Sequence, residues 1–250
     1  MLLVADVHGA ANALEVVAKQ GETLLVLGDF VNLIDHRTGD GIIADVIGRS
    51  VVMEISRLRA EGHGAEASAL WLETTGERRG EIDKEIKTRM EQQYREVCAA
   101  LEFTDSYVLF GNVDRPDMLR SHLGRRSQFV DAETREIDGL LVGFVGGGLP
   151  RIGTEGEVAH DTMAEKLASL GRVDILCTHV PPDVPALARD VVGRTNKGSR
   201  EILEYLIRFE PTHHYFGDIH QPMATRWQVG RTMCINVGYF RATGRALSHR

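Results

Sequence analysis

Residues 4–9 read VADVHG, and residues 216–222 read FGDIHQP. Each stretch sets an aspartate and a histidine on either side of one apolar residue, directly after an apolar run. Such a run, four or five residues long and closed by polar turn residues, reads as a buried strand. Asp6 and His8 therefore fall at the carboxyl end of one predicted strand, and Asp218 and His220 at the end of another. Three more runs end the same way: residues 23–27 (TLLVL) close on Gly28-Asp29, residues 107–110 (YVLF) on Gly111-Asn112, and residues 173–177 (VDILC) on Thr178-His179. In open α/β sheets, sites form outside the carboxyl ends of the strands. A single aspartate or histidine in a turn is an ordinary solvated loop residue. Five strand ends carrying Asp6, His8, Asp29, Asn112, His179, Asp218 and His220 are a set that one fold brings to one place.

The rest of the chain is consistent with one large domain spanning residues 1–250. Of its 250 residues, 43% are hydrophobic, enough for a substantial core. The strand at residues 1–5, a helix over 12–20 and the strand at 23–27 set a β-α-β rhythm, with near-continuous apolar strands suited to a sheet buried on both faces. From 41 to 101 the period changes. Ile43, Val46, Ile47, Ile55 and Leu58 recur at helical spacing, and after Gly62 and Gly64 a second stripe runs through Ile82, Ile86, Met90, Tyr94, Val97 and Leu101. This segment reads as a helical insertion that packs on the sheet and shares in the substrate pocket; a lid or a homodimer arm is the alternative. Strands then resume, with hairpins at Asp138-Gly139 and Gly230-Arg231, a helix over 158–170, and a helix running from a Ser199 cap to Phe209.

Composition narrows the function. A formal charge of −7, from 29 Lys+Arg against 36 Asp+Glu, argues against broad nonspecific nucleic-acid binding, while a small phosphorylated substrate is compatible with it. Three scattered cysteines, Cys98, Cys177 and Cys234, form no CxxC and point to small buried residues rather than disulfides or a thiolate metal site. The first apolar run is too short for a signal peptide and no run spans a membrane, so a cytoplasmic protein without membrane contact is expected.

Carboxylate and imidazole without thiolate suit manganese, iron, zinc, nickel or cobalt. Seven donors exceed one tetrahedral ion and suit two ions sharing a carboxylate. The blocks DVH, GDFVN, GNVD, THVPP and GDIH, in that order across residues 6–220, resemble the calcineurin-like metallophosphoesterase superfamily, whose blocks run D-x-H, G-D-x-x-[DN], G-N, H and G-H-x-H. The segment THVPP, then GSREILEYLI and PTHHYFGDIHQP, is similar to the small bacterial-type phosphodiesterase branches. The resemblance implies a four-layered α/β/β/α sandwich holding two divalent ions, manganese foremost. Asp6, His8 and His220 would hold the first ion, Asp29 would bridge, and Asn112 and His179 would hold the second. Asp29, Asn112 and Asp114 are the residues expected to carry the catalytic step, in which a hydroxide shared by the ions attacks a phosphodiester. A phosphomonoesterase, a dinucleoside-polyphosphate hydrolase, or a binding scaffold with a degraded metal site is the alternative.

Two departures from that pattern matter. Asp218 stands where the family has a histidine; direct ligation of the second ion is the expectation, with orientation of a neighbouring ligand as the alternative. Val113 follows Asn112 where many members have a histidine that assists the leaving group, which calls for a good leaving group or another proton donor. His36 is the spare donor. Asp114 orients Asn112 or a neighbour, or caps a turn. Asn32 holds its loop. Gly146–Gly148 either offer amides to a phosphate or form a turn, Arg115 is a phosphate contact or a surface residue, and Thr195, Asn196 and Lys197 line the substrate pocket or, the preferred reading, form a solvated loop before a helix. His213 and His214 read as strand residues.

Overall fold

The computed structural model describes residues 1–35, 38–151, 153–192 and 195–249. The chain divides into two compact units: Met1–Phe30 with Glu96–Arg250, and Val31–Arg95. The first is a mixed α/β sandwich of two mixed sheets.

The first sheet has strand order β11-β1-β2-β3-β4, built from β1 (Leu2–Val4), β2 (Leu24–Leu27), β3 (Ser106–Leu109), β4 (Ser127–Phe129) and β11 (Leu247–Ser248). Strands β1 to β4 are parallel and β11 is antiparallel at the edge. The second sheet runs β5-β6-β7-β8-β10-β9, from β5 (Glu133–Ile137), β6 (Leu140–Val145), β7 (Ile175–Thr178), β8 (His213–Phe216), β9 (Arg226–Val229) and β10 (Thr232–Asn236). Its inner strands β6, β7, β8 and β10 are parallel; β5 and β9 return antiparallel at the edges through the hairpins read from Asp138-Gly139 and Gly230-Arg231.

The period-2 alternation of the strands explains how the sheets stack. Leu3 and Ala5, Leu25 and Leu27, Val142 and Phe144, Ile175 and Cys177 are alternate residues that meet in one core with Leu109, Tyr215 and Ile235. The residues between them on β1 and β2, Leu2, Val4, Leu24 and Val26, are buried on the other face. Hence these strands read as unbroken apolar runs. The far face of the second sheet is covered by α7 (His160–Leu170) and α9 (Arg200–Phe209), through Met163, Leu167, Ile202, Tyr205 and Leu206 against Leu176, Phe216 and Cys234. Helix α9 begins where expected: Ser199 Oγ accepts the Ile202 amide at 3.2 Å. The three cysteines are buried and unpaired, as their scatter suggested.

The Val31–Arg95 unit contains α2 (Ile42–Ile47), α3 (Arg49–Ala60), α4 (Gly64–Thr75) and most of α5 (Arg79–Ala99). Gly48, at φ 96°, separates α2 from α3. The stripe Ile82, Ile86, Met90 and Tyr94 is buried along α5, whereas in α2 the buried residues are Ile42 and Ala44 rather than Ile43, Val46 and Ile47. Asn32 is tied within this unit: its amide donates to Gln93 Oε1 at 2.8 Å and its carbonyl accepts from Ile42 at 2.9 Å, which is the loop-holding role. Among the described residues, no helix is long and apolar enough to cross a membrane.

Candidate metal centre

The parallel strands of both sheets present their carboxyl ends together. β1 delivers Asp6 and His8, β2 delivers Asp29, β3 delivers Asn112 and Asp114, β7 delivers His179, and β8 delivers Asp218 and His220. The Asp218 amide ties the two sheets together there, donating to the Asp6 carboxylate at 3.1–3.2 Å. Within the second sheet, the Gly217 amide donates to the His179 carbonyl at 2.9 Å. Asp6, Asp29, Asp114 and His179 are buried, as are His8 and Asp218 apart from a few per cent of their surface.

Two groups of ligand atoms converge, Asp6 with His8 and His220, and Asp6 with Asp29 and His179. His8 Nε2 lies 3.3 Å from His220 Nε2 and 3.9 Å from Asp6 Oδ1, and His220 Nε2 lies 3.5 Å from the same oxygen. Asp29 faces both groups: Oδ2 is 3.6 Å from His8 Nε2, and Oδ1 is 3.4 Å from His179 Nε2. Asn112 Oδ1 is 3.1 Å from His179 Nε2. His179 Nδ1 donates to the Leu27 carbonyl at 2.8 Å, which points Nε2 into the cluster. Nitrogen and oxygen donors converging this closely in a buried, acidic setting fit divalent cations.

Electrostatics point the same way. Burial opposes ionisation of Asp6 and Asp29, yet the imidazoles around them, His220 for Asp6 and His179 for Asp29, hold both carboxyls below the usual range. Burial likewise opposes protonation of His179, but the Asp29, Asp218 and Asp6 charges push it up to about 10. The pocket favours positive charge.

Asp114 belongs to neither convergent group. Its Oδ2 accepts the Asp29 and Gly111 amides, each at 2.8 Å, and its Oδ1 accepts the Phe30 amide at 2.9 Å. It is a positioning residue that ties the β2 loop to the β3 loop. Burial and the Asp29 charge push its carboxyl up to about 6. Val113 contributes its amide, which donates to Asp29 Oδ1 at 3.1 Å.

The secondary candidates sort by their partners. The amides of Gly146, Gly147 and Gly148 donate to Asp131, Phe110 and Gly156, so this is a turn, not a phosphate cradle. Arg115 pairs with Glu155 at 3.2 Å. His214 is buried in β8 and bonded to Thr178 Oγ1 at 2.8 Å. His36 lies outside the described residues. Lys197, read as solvated, instead reaches Asp218, because the backbone before α9 folds inward: the Lys197 amide donates to the Ala188 carbonyl at 3.0 Å. Two further contributors carry no motif. The Tyr239 ring stacks on His220 at 3.9 Å and 3°, and Arg241 Nη1 donates to the His8 carbonyl. Both follow β10, Tyr239 as the N-cap and Arg241 within α10 (Phe240–Thr243), which is fastened to the β1 loop by the Phe240 amide on the Ala5 carbonyl.

No protein-family model matches the chain, and no curated protein matches it in sequence. Solved structures do match in fold. One crystal structure, 14% identical, aligns over 96% of this chain and 90% of its own with a TM-score of 0.56. The protein TT1561 of Thermus thermophilus, 12% identical, aligns over 98% and 96% with a TM-score of 0.54. The likeness extends over nearly the whole of each chain, and at these identities it concerns the fold alone.

A depression at the amino ends of β7 and β8, lined by Arg172, Asp174, Phe209, Glu210 and Arg231, brings together no metal-ligating group among the described residues. The convergent ligand atoms lie at the carboxyl ends.

Proposed function

We propose that the chain is a metal-dependent phosphoesterase of the calcineurin-like metallophosphoesterase type, on a four-layered α/β/β/α sandwich, and that its substrate is a small phosphodiester. The observation that carries this reading is the two-sided placement of Asp29, with one carboxylate oxygen toward His8 and the other toward His179. A carboxylate so placed suits two divalent cations on either side of it, with Asp6, His8 and His220 on one and Asn112 and His179 on the other. Such cations, when bound, polarise phosphoryl oxygens and lower the pKa of a water toward ~7.

The chain's own residues do the rest. Asp6 and Asp29 supply the negative charge that retains cations. The Leu27 carbonyl fixes the His179 ring, the Tyr239 ring fixes that of His220, and Asp114 fixes the backbone on which Asp29 is mounted. Val113 offers the leaving group no proton, so a phosphodiester with a stable leaving alcohol suits the site better than a monoester of a poor one. A binding scaffold with a degraded second metal position is the rival reading, and the Lys197–Asp218 contact favours it.

Turnover of bis(p-nitrophenyl) phosphate with added manganese tests the proposal. Asp29→Ala and His220→Ala should each lower the rate by about 100-fold or more, since loss of groups that merely orient metal ligands already costs ~10–100-fold. Equal turnover by wild type and both variants would refute it.

A further inference from the structure

Asp218 is the one expected carboxylate or imidazole ligand that joins neither convergent group. Its carboxylate is almost wholly buried, but comes no nearer than 4.0 Å to His179 Nε2. Its close partner is Lys197. The ammonium contacts Asp218 Oδ1 directly and lies 3.1 Å from the Asp218 carbonyl. The Lys197 side chain is 26% exposed, so it is neither a surface cation nor sealed away. Its backbone is pinned on Ala188, and the next residue, Gly198, packs so tightly that a Cβ would meet Asp183 Cα at 2.5 Å. The ammonium is therefore delivered to Asp218 by a fixed backbone.

Charge counting shows the consequence. Asp6, Asp29, Asp114 and Asp218 are four buried carboxylates. One divalent ion and the Lys197 ammonium offset three of their charges. A second divalent ion would turn the balance to a buried surplus of positive charge, which is unfavourable without an anion to offset it.

We propose that Lys197 is a resident cation of this site, occupying Asp218 in place of a second divalent ion, so that the protein binds one divalent ion tightly and a second weakly until an anion enters. This deepens the phosphoesterase reading and rests on it: the ammonium would stand beside the phosphoryl group as a fixed positive charge.

Calorimetric titration of manganese into the metal-free, full-length protein, in buffer without phosphate, tests the inference. Wild type should show one tight ion and a second bound at least tenfold more weakly. Lys197→Met should tighten the second ion at least tenfold, by freeing Asp218, and Lys197→Arg should behave as wild type. Circular dichroism checks folding, and Lys197→Gln replaces Lys197→Met should that variant not fold. Two equally tight ions in wild type, or an unchanged affinity ratio on removing the ammonium, would overturn the role of Lys197 while leaving the metal site standing. No manganese bound by any of the proteins would overturn both readings together.

Discussion

Replacing Gly111 by alanine tests whether the cluster is set by close backbone approach. Gly111 does not have a left-handed φ, so alanine costs nothing in backbone conformation and the whole effect is steric. An added Cβ would lie 2.2 Å from Asp29 Oδ1, 2.6 Å from the Asp29 amide nitrogen and 2.7 Å from His179 Cε1. Ordinary contact begins at 3.4 Å, so the carboxylate oxygen must retreat by roughly 1 Å. It has little room to do so. Oδ1 accepts the Val113 amide and faces His179 Nε2, while the Asp29 amide is held by Asp114. Overpacking of this kind costs about 1–3 kcal/mol. Urea unfolding of Gly111→Ala should show that loss, and calorimetry should show manganese bound at least tenfold more weakly. Gly21→Ala is the control: at φ 79° with nothing within 4 Å, it carries backbone strain of about 1 kcal/mol and no clash. Manganese binding by Gly111→Ala as tight as by Gly21→Ala would refute the view that Gly111 sets the position of Asp29.

Two further outcomes follow from single contacts. Tyr239→Leu removes the ring stacked on His220; an aromatic pair contributes about 0.5–1.5 kcal/mol, so manganese affinity should fall roughly two- to tenfold, with Tyr239→Phe close to wild type. His214 gives a pH signature in the metal-free protein. Burial depresses it from 6.5 to about 3, so the unfolded chain takes up its proton first as pH falls. Its contribution is complete above pH 6.5 and is lost toward pH 3, on the order of 5 kcal/mol in all, and urea midpoints of His214→Asn should fall less steeply than those of wild type over that window.

The site was legible in the sequence because its residues obey one positional rule. Every expected ligand follows an apolar run, and parallel strands align those run ends. Residues outside that rule escaped it. Tyr239 and Arg241 follow a strand of the second sheet but act through α10, which docks on a β1 loop far away in sequence: Arg241 is 233 positions from His8. Lys197 is a lysine in a polar loop, and only the Ala188 contact turns it inward. The edge strands β4 and β11 are three and two residues long, too short to show a period. The stacking of two sheets came from the family resemblance, since buried strands look alike whichever sheet they join.

Backbone conformation adds an argument that composition could not. Among the described residues, seven other than glycine have positive φ, and four of them are Asp6, His8, Asp29 and Asp218. Aspartate tolerates the left-handed region better than most residues, and histidine at φ 42° is less at ease. Each such residue carries strain of order 1 kcal/mol, against a total stability of only ~5–15 kcal/mol. Glycine would relieve the strain at each position and would remove the side chain. A chain that places carboxylates and an imidazole there accepts strain to aim those groups at one point. Asp218 shares this strain although it stands outside the convergent ligand groups. Its backbone is thus held in the left-handed region, and the positive charge its side chain meets in this structure is Lys197.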